Sequence, residues 1–342
     1  MNKYLLLYVS CFWLFSCGDT DIKQGETLFL RHKGCDMPAY VYGNTASNTF
    51  MILLHGGPGG NGLEYRGGVY AENLEKEIAV VYWDQRGQGN SKGNNHAEEL
   101  TMDLLLDDLD QLVFLLKHQY GEDINLFLYG HSWGGTYGTK YLMSKKRQQQ
   151  FNGWIESNGA HDIPKLNKLA IEFFQFYARE YIGAGINVTK WQEIQKFVNS
   201  IDTLNITDEE ALKLNQFGHE AEELFDEIKQ PDEDEFQMPL RNPIDVVSSV
   251  VTGNYTSQKL DENGIEEIAL SDSLYKIELP TFIQTGRYDF VVPPALGFYA
   301  YNRISSKEKT YKQYSYSGHS PMVNEGVEYA EDILTFIRKN KK

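Results

Sequence analysis

Hydrophobic positions along the chain follow two spacings in turn. Continuous apolar runs at 49–54, 78–83, 124–129, 151–157 and 279–285 have the length and the β-branched and aromatic content of strands buried on both faces. Residues 26–31 and 39–42 read as an opening hairpin, and 310–316 as a last strand. Between these runs the period lengthens to that of a helix. Leu105, Leu109, Leu112 and Leu116 form one stripe over 100–120, with Asp107, Asp108 and Asp110 largely off it and Gly121 as a stop. Residues 132–143, 294–302 and 323–339 read as further helices. This alternation predicts an α/β fold, a mostly parallel central sheet flanked by helices. The rhythm breaks over 162–271, which is helical in pattern, acidic and poor in strand signals. That segment predicts a helical cap inserted into a core domain made of residues 17–161 and 272–342.

The N-terminus has a different pattern. Lys3 precedes an apolar run of thirteen residues, 4–16. A helix that crosses a bilayer needs about 20, so the run fits a secretory signal better than a mature membrane helix. It ends Leu14-Phe15-Ser16-Cys17, which resembles a bacterial lipobox. The expectation is a lipoprotein-type signal peptide over 1–16 and lipid attachment at Cys17. The protein would then be an exported bacterial lipoprotein, held by that anchor on a membrane of the cell envelope. A plain cleaved signal and a buried apolar strand are the alternatives. Cys11 would leave with the signal and Cys17 would carry the lipid, so only Cys35 would remain and no disulfide framework is expected.

Composition changes this picture in two places. Of 342 residues, 41% are apolar and 23% charged, which is ordinary globular usage and excludes collagen-like and disordered classes. The net charge is −16, and an acidic surface repels phosphates, which argues against a nucleic-acid partner. No H-E-x-x-H occurs and the eight histidines are scattered, so neither a metal nor a cofactor is expected.

Gly130-His131-Ser132-Trp133-Gly134 fits G-x-S-x-G between a strand and a helix, the setting of a nucleophile elbow. A turn that tight needs small residues two positions either side of Ser132 and lifts the hydroxyl clear of the sheet. Serine attacks only when a base takes its proton. On such a scaffold the chain order is serine, acid, histidine. Asp289 follows the strand 279–285 and His319 follows 310–316, so both fall at the C-terminal edge of the sheet, where open α/β sheets bind ligands. Glu156 and Asp84, also at strand ends, compete for the role of the acid. Asp84 reads better as an anchor for the loop Asp84-Gln85-Arg86-Gly87-Gln88-Gly89-Asn90-Ser91. In His55-Gly56-Gly57-Pro58-Gly59-Gly60 the glycines let backbone N–H groups approach a ligand. The amides of Gly57 and Trp133 are the natural oxyanion donors; a tight turn with no ligand role is the alternative. His55 reads as a residue that orders its loop, not as a base.

These segments together resemble the α/β-hydrolase fold and, within it, the proline iminopeptidase (prolyl aminopeptidase) family of serine peptidases. The match covers about 26–160 and 275–342, and its most specific part is the pair His55–Gly60 and Trp83–Ser91. The resemblance implies a Ser132–Asp289–His319 triad working through an acyl-enzyme, an oxyanion hole at Gly57 and Trp133, and a helical cap after the strand that follows the elbow. It also implies a cis Gly57–Pro58 peptide. Two features depart from the family. Its elbow usually reads Gly-Gly-Ser-Trp-Gly, with glycine where His131 stands, and its cap carboxylates that hold a substrate amine do not align to particular residues of this chain. The expected function is a serine hydrolase, an aminopeptidase of proline iminopeptidase type that releases N-terminal residues from short peptides. A carboxylesterase or lactonase acting on a small-molecule substrate is the alternative, and a non-catalytic receptor a third reading.

Within the insertion, residues 208–235 hold twelve acids against Lys213 and Lys229. They read first as a solvated face, because Ala221, Leu224, Phe225 and Ile228 form an apolar stripe that turns the acids to water. The sharper reading is that one or two reach under the cap to meet a substrate ammonium. Phe173, Phe174, Phe176, Tyr177, Tyr181 and Trp191 read as core of the insertion, with the lining of an apolar pocket as the alternative.

Overall fold

Phe50, Ile52 and Leu54 pack into one apolar cluster, and Met51 and Leu53 into another on the opposite face of the same strand. Side chains of a strand alternate between faces, so a run that is apolar at every position must be covered on both. The computed structural model describes residues 25–93, 96–225, 227–228 and 243–342, and the covering is visible throughout them. The chain runs β1 (Glu26–His32), β2 (Cys35–Gly43), β3 (Thr49–Leu54), α1 (Gly68–Glu77), β4 (Ala79–Trp83), β5 (Lys92–Gly93), α2 (Met102–Tyr120), β6 (Asn125–His131), α3 (Trp133–Leu142), α4 (Lys145–Gln148) and β7 (Gly153–Ser157). It continues as α5 (Ile163–Ala184), α6 (Val188–Val198), α7 (Asp208–Glu222), α8 (Pro243–Glu262), β8 (Thr281–Gly286), α9 (Pro294–Arg303), β9 (Lys309–Tyr314), α10 (Pro321–Asn324) and α11 (Gly326–Asn340). The sheet order is β1-β2-β4-β3-β6-β7-β8-β9, with β5 on β2. Every pairing from β4 across to β9 is parallel; those made by β2 are antiparallel. Helices α2 and α3 cover one face, and α1 and α11 the other. This is the α/β-hydrolase architecture expected from the sequence.

Helices α5 to α8 stand between the neighbouring strands β7 and β8. The segment leaves and re-enters the sheet at one place. Asp162 caps α5 by accepting the Lys165 amide at 3.0 Å, and its other oxygen accepts the Ser271 amide at 3.1 Å. Asp162 also bridges Ala269, and the Ile163 amide donates to the Ile268 carbonyl at 2.9 Å. The inserted helices have a core of their own, built on Phe174, Trp191, Ile194, Phe217 and Phe225.

The structure adds to the sequence reading in three places. Nothing in the pattern announces α1, whose N-cap is Gly67 with no side-chain bond and whose end carries no glycine. The helix expected over 323–339 breaks at Glu325 into α10 and α11. Asp108, expected off the apolar stripe, is fully buried, because the buried Arg86 binds both its oxygens at 2.7 Å and the His32 ring lies 2.6 Å away. The signal segment 1–16 and Cys17 lie outside the described residues, as do 226 and 229–235 of the acidic stretch. Among the described residues, no helix is long and apolar enough to cross a membrane.

Candidate active site

Strand β6 ends at His131 and α3 begins at Trp133, so Ser132 alone makes the turn, with φ +55°. A non-glycine residue there is strained, and the strain is held by crowding on both sides. A side chain at Gly130 would strike the Gly134 backbone, and one at Gly134 the Leu54 backbone. The Ser132 carbonyl accepts the Gly135 and Ala160 amides at 2.8 and 3.1 Å, and its N–H donates to Ser157 at 3.2 Å. The elbow expected from G-x-S-x-G is therefore present as backbone.

Asp289 and His319 meet. Asp289 is fully buried, and its Oδ2 lies 2.9 Å from His319 Nδ1. The same oxygen accepts from Asn158 Nδ2, while Oδ1 accepts the Val291 and Val292 amides at 2.9 and 2.7 Å. Burial pushes the Asp289 carboxyl above its usual range, and these donors act against that. Burial also pushes His319 down, so the imidazole is neutral at rest, as a general base must be. Glu156 is engaged elsewhere, with its Oε1 2.6 Å from His161 Nδ1. Asp84 holds loops: its carboxylate accepts the Gly62 and Asn90 amides at 2.8 and 2.7 Å. His55 is buried, bonds its own loop at the Gly56 carbonyl (2.8 Å), and is pushed down to about 4 by burial.

The elbow histidine, the departure from the family pattern, lies on a directed chain. The His319 carbonyl can only accept, so His131 Nε2 donates to it across 2.8 Å. Burial holds His131 neutral, which makes Nδ1 an acceptor. Tyr65 then donates to Nδ1 across 2.7 Å and accepts the Gly56 amide at 2.9 Å. The chain joins the glycine-rich loop, the elbow and the base loop. Asn158, Tyr65 and the His131 contacts were not legible from motif or spacing; only the position of Asn158, two residues past the strand-end Glu156, hinted at its place.

Gly57, Pro58, Ser132 and Trp133 share the wall of a cavity of about 440 Å³. The Gly57–Pro58 peptide is cis, as expected. Trp133 is the first residue of α3, so its amide has no partner within the helix. The far wall comes from the inserted helices. Asp208, Glu209, Leu212 and Asn215 of α7 and Ser257 and Asp261 of α8 line it, and no Lys or Arg is among the described lining residues. Burial and the charge of Asp208 raise the Asp261 carboxyl above its ordinary value. Of the six aromatics expected as core, Phe174 and Trp191 are fully buried, Phe173, Tyr177 and Tyr181 pack against them, and none lines the cavity; Phe176 alone is exposed.

Comparison with known proteins agrees with this architecture. The model of the family described as "Serine aminopeptidase, S33" matches residues 49–234. A proline iminopeptidase of Saccharolobus solfataricus is 26% identical over 315 residues, spanning 91% of this chain and 92% of that protein. Two solved structures share the fold. A proline iminopeptidase of Mycobacterium smegmatis has a TM-score of 0.62 at 15% identity, over 92% of this chain and 99% of that one. The esterase RhEst1 of Rhodococcus sp. ECU1013 has 0.56 at 17%, over 92% and 99%. A hydrolase with an elbow serine opening onto a cavity walled by an inserted set of helices, this chain belongs to the serine aminopeptidase S33 family.

Proposed function

We propose that Ser132 is the nucleophile, His319 its base and Asp289 the acid that orients the base. The amides of Gly57 and Trp133 would receive the oxyanion. In this reading His319 takes the Ser132 proton as the hydroxyl attacks the scissile carbonyl, and returns it to the leaving amine. The acyl-enzyme is then cleared by water. Residues 162–271 act as the cap over this site.

The substrate reading is an aminopeptidase of proline iminopeptidase type acting on short peptides. The observation that carries it is the cavity wall: Asp208, Glu209 and Asp261 face a space that also holds Ser132 and, among its described lining residues, no cationic side chain. Asp208 and Glu209 also favour the N-terminus of α7, so their presence has a local cause. Asp261 stands in the last turn of α8, where the helix dipole disfavours a carboxylate, and the repulsion between Asp208 and Asp261 is relieved by a cation placed between them. A free N-terminal ammonium is such a cation, whereas an ester substrate offers none. The fold likeness to an esterase keeps the carboxylesterase reading as the second one.

The test is kcat/KM for prolyl and other aminoacyl arylamides, their N-acetylated forms, and short acyl esters. Wild type should prefer the free amine, and Asp261→Asn should erase that preference by about tenfold or more while sparing the acetylated substrate. Equal use of free and acetylated substrates, with esters fastest, would make this an esterase. Lipid anchoring at Cys17 belongs to the same proposal. Wild type should partition with membranes and take up a palmitate analogue, and Cys17→Ser should do neither.

A further inference from the structure

Helix α7 touches the catalytic loops at two residues one turn apart. At Gly218 its backbone lies against the acid loop, where an added side chain would stand 2.9 Å from the Phe290 carbonyl oxygen and 3.1 Å from Val291 Cα. At Glu222 its carboxylate reaches over both loops. Oε1 accepts the Phe290 amide at 3.1 Å, and the two oxygens accept the His319 amide at 3.1 and 3.0 Å. The carboxylate occupies the space above Gly318, so that any side chain at 318 would collide with it. The register of α7 that allows this is set at its start. Thr207 and Glu210 form a capping box, with the Thr207 amide donating to Glu210 at 2.8 Å. Leu214, Phe217 and Ala221 then face the core of the insertion. Tyr288 and Phe290, which flank Asp289, are buried in that same core.

We propose that Glu222 is a positioning residue for the base: from the inserted helices it fixes the backbone of His319 and ties that residue to the acid loop. The proposal rests on the reading of His319 as the base. His319 is then held at three points, its Nδ1 by Asp289, its carbonyl by His131 and its amide by Glu222, and only the last comes from the insertion. A base that must shuttle a proton between Ser132 and a leaving group needs its ring fixed, since a misplacement of about 1 Å costs about 10²-fold in rate.

The carboxylate also acts by its charge. The titratable groups that face it are Asp289 from the acid loop, His319 from the base loop and His219 on its own helix, whose ring centroid lies 6.3 Å from that of His319. Burial and the Asp289 charge raise the Glu222 carboxyl. Asp289 accepts from the Asn158 side chain and the His319 ring as well as from two amides, whereas Glu222 is met by backbone amides, so a proton shared between the two carboxyls resides on Glu222. When that proton leaves, the new charge stabilises the imidazolium that forms during attack on the carbonyl.

The experiment is the rate of fluorophosphonate labelling against pH for wild type, Ser132→Ala, Glu222→Ala and Glu222→Gln, each with its thermal midpoint. Labelling reads the reactivity of the elbow whatever the natural substrate. Glu222→Ala should label about 10²-fold more slowly. In Glu222→Gln one amide oxygen can accept both N–H groups, so the loss should be about 2- to 10-fold. Wild type should show a second rise in rate above the ordinary carboxylate range, and Glu222→Gln a plateau there. Should Glu222→Ala fail to fold, the pH profile of Glu222→Gln decides. If folded Glu222 variants label like wild type at every pH while Ser132→Ala is unlabelled, Glu222 is structural only and the proposal is overturned with the triad intact. A Ser132→Ala protein that labels at the wild-type rate overturns the triad reading itself.

Discussion

The sheet domain and the inserted helices are both well packed, but they bring polar groups to the site in different ways. In the sheet domain each group sits at the end of a parallel strand: Ser132 after β6, Asn158 after β7, Asp289 after β8 and His319 after β9. Their meeting follows from strand order. In the insertion the groups come from helix ends, as with Glu222 and Asp261, and the register of α7 is set by its capping box and core packing. The two regions also touch backbone to backbone. At Gly253 of α8 a side chain would strike the Gly59 backbone, and Thr256 donates to the Gly87 carbonyl at 2.5 Å. A change at a strand end should therefore act on chemistry, and a change in the insertion on geometry and selectivity.

The largest effect that could break this division is at the elbow. Ser132→Ala should lower kcat by about 10⁶-fold, as removal of such a nucleophile does, with little change in KM. Measurable turnover at a hundredth of wild type would remove Ser132 from the chemistry. Next comes the choice of acid. Asp289→Asn should lower kcat by about 10⁴-fold, whereas Glu156→Gln should act mainly on stability, because Glu156 is buried against His161. The reverse ranking in a kinetic comparison would transfer the role of the acid.

The insertion should respond more gently. In Gly253→Ala the new methyl meets the Gly59 backbone, which can yield only if α8 or the glycine-rich loop moves. Its kcat/KM should fall by up to about 10²-fold, with Ser132 still labelled by a fluorophosphonate. A kinetically normal variant would mean that the α8 contact does not constrain the loop. The smallest expected effect is a pH dependence of stability. The folded-state pKa of Glu222 is raised, so folding favours its protonated form. That contribution is present at low pH and is lost as pH climbs from about 4.3, the free value, through the raised folded one. In Glu222→Gln the decline of the thermal midpoint over that window should be shallower than in wild type. An unchanged slope would show that Glu222 titrates normally.

How much was legible in the sequence follows the same division. The elbow, Asp289 and His319 could be read because strand, turn and residue type coincide within a few positions. The buried runs were legible because a strand apolar on both faces has no other use. Helix α1 was not, since Gly67 gives no side-chain cap and its buried residues, Tyr70, Ala71, Leu74 and Glu75, mix apolar and charged types. Asp108 was misplaced because its partner Arg86 is 22 residues away in the chain. Glu222 was one of twelve acids in a stretch whose composition points to water. Its two amide partners lie 68 and 97 residues on, and no local pattern encodes a contact at that separation. The apolar stripe was read correctly in part: Ala221, Phe225 and Ile228 are buried, although α7 ends at Glu222 and the last two reach the core from turns.

The chain from Gly56 through Tyr65 and His131 to His319 bears on how this elbow could have changed over time. Each link has one donor and one acceptor, so its members are not independent. Replacing His131 by the glycine usual at that position would strip the Tyr65 hydroxyl of its acceptor and the His319 carbonyl of its donor in one step. Each buried polar group left so costs about 1–3 kcal/mol. Replacing Tyr65 first would orphan the Gly56 amide and His131 Nδ1 instead. Neither single step is neutral, so Tyr65 and His131 behave as one inherited character, gained or lost together, and a relative that carries glycine at the second elbow position should meet its Gly56 amide with some other acceptor.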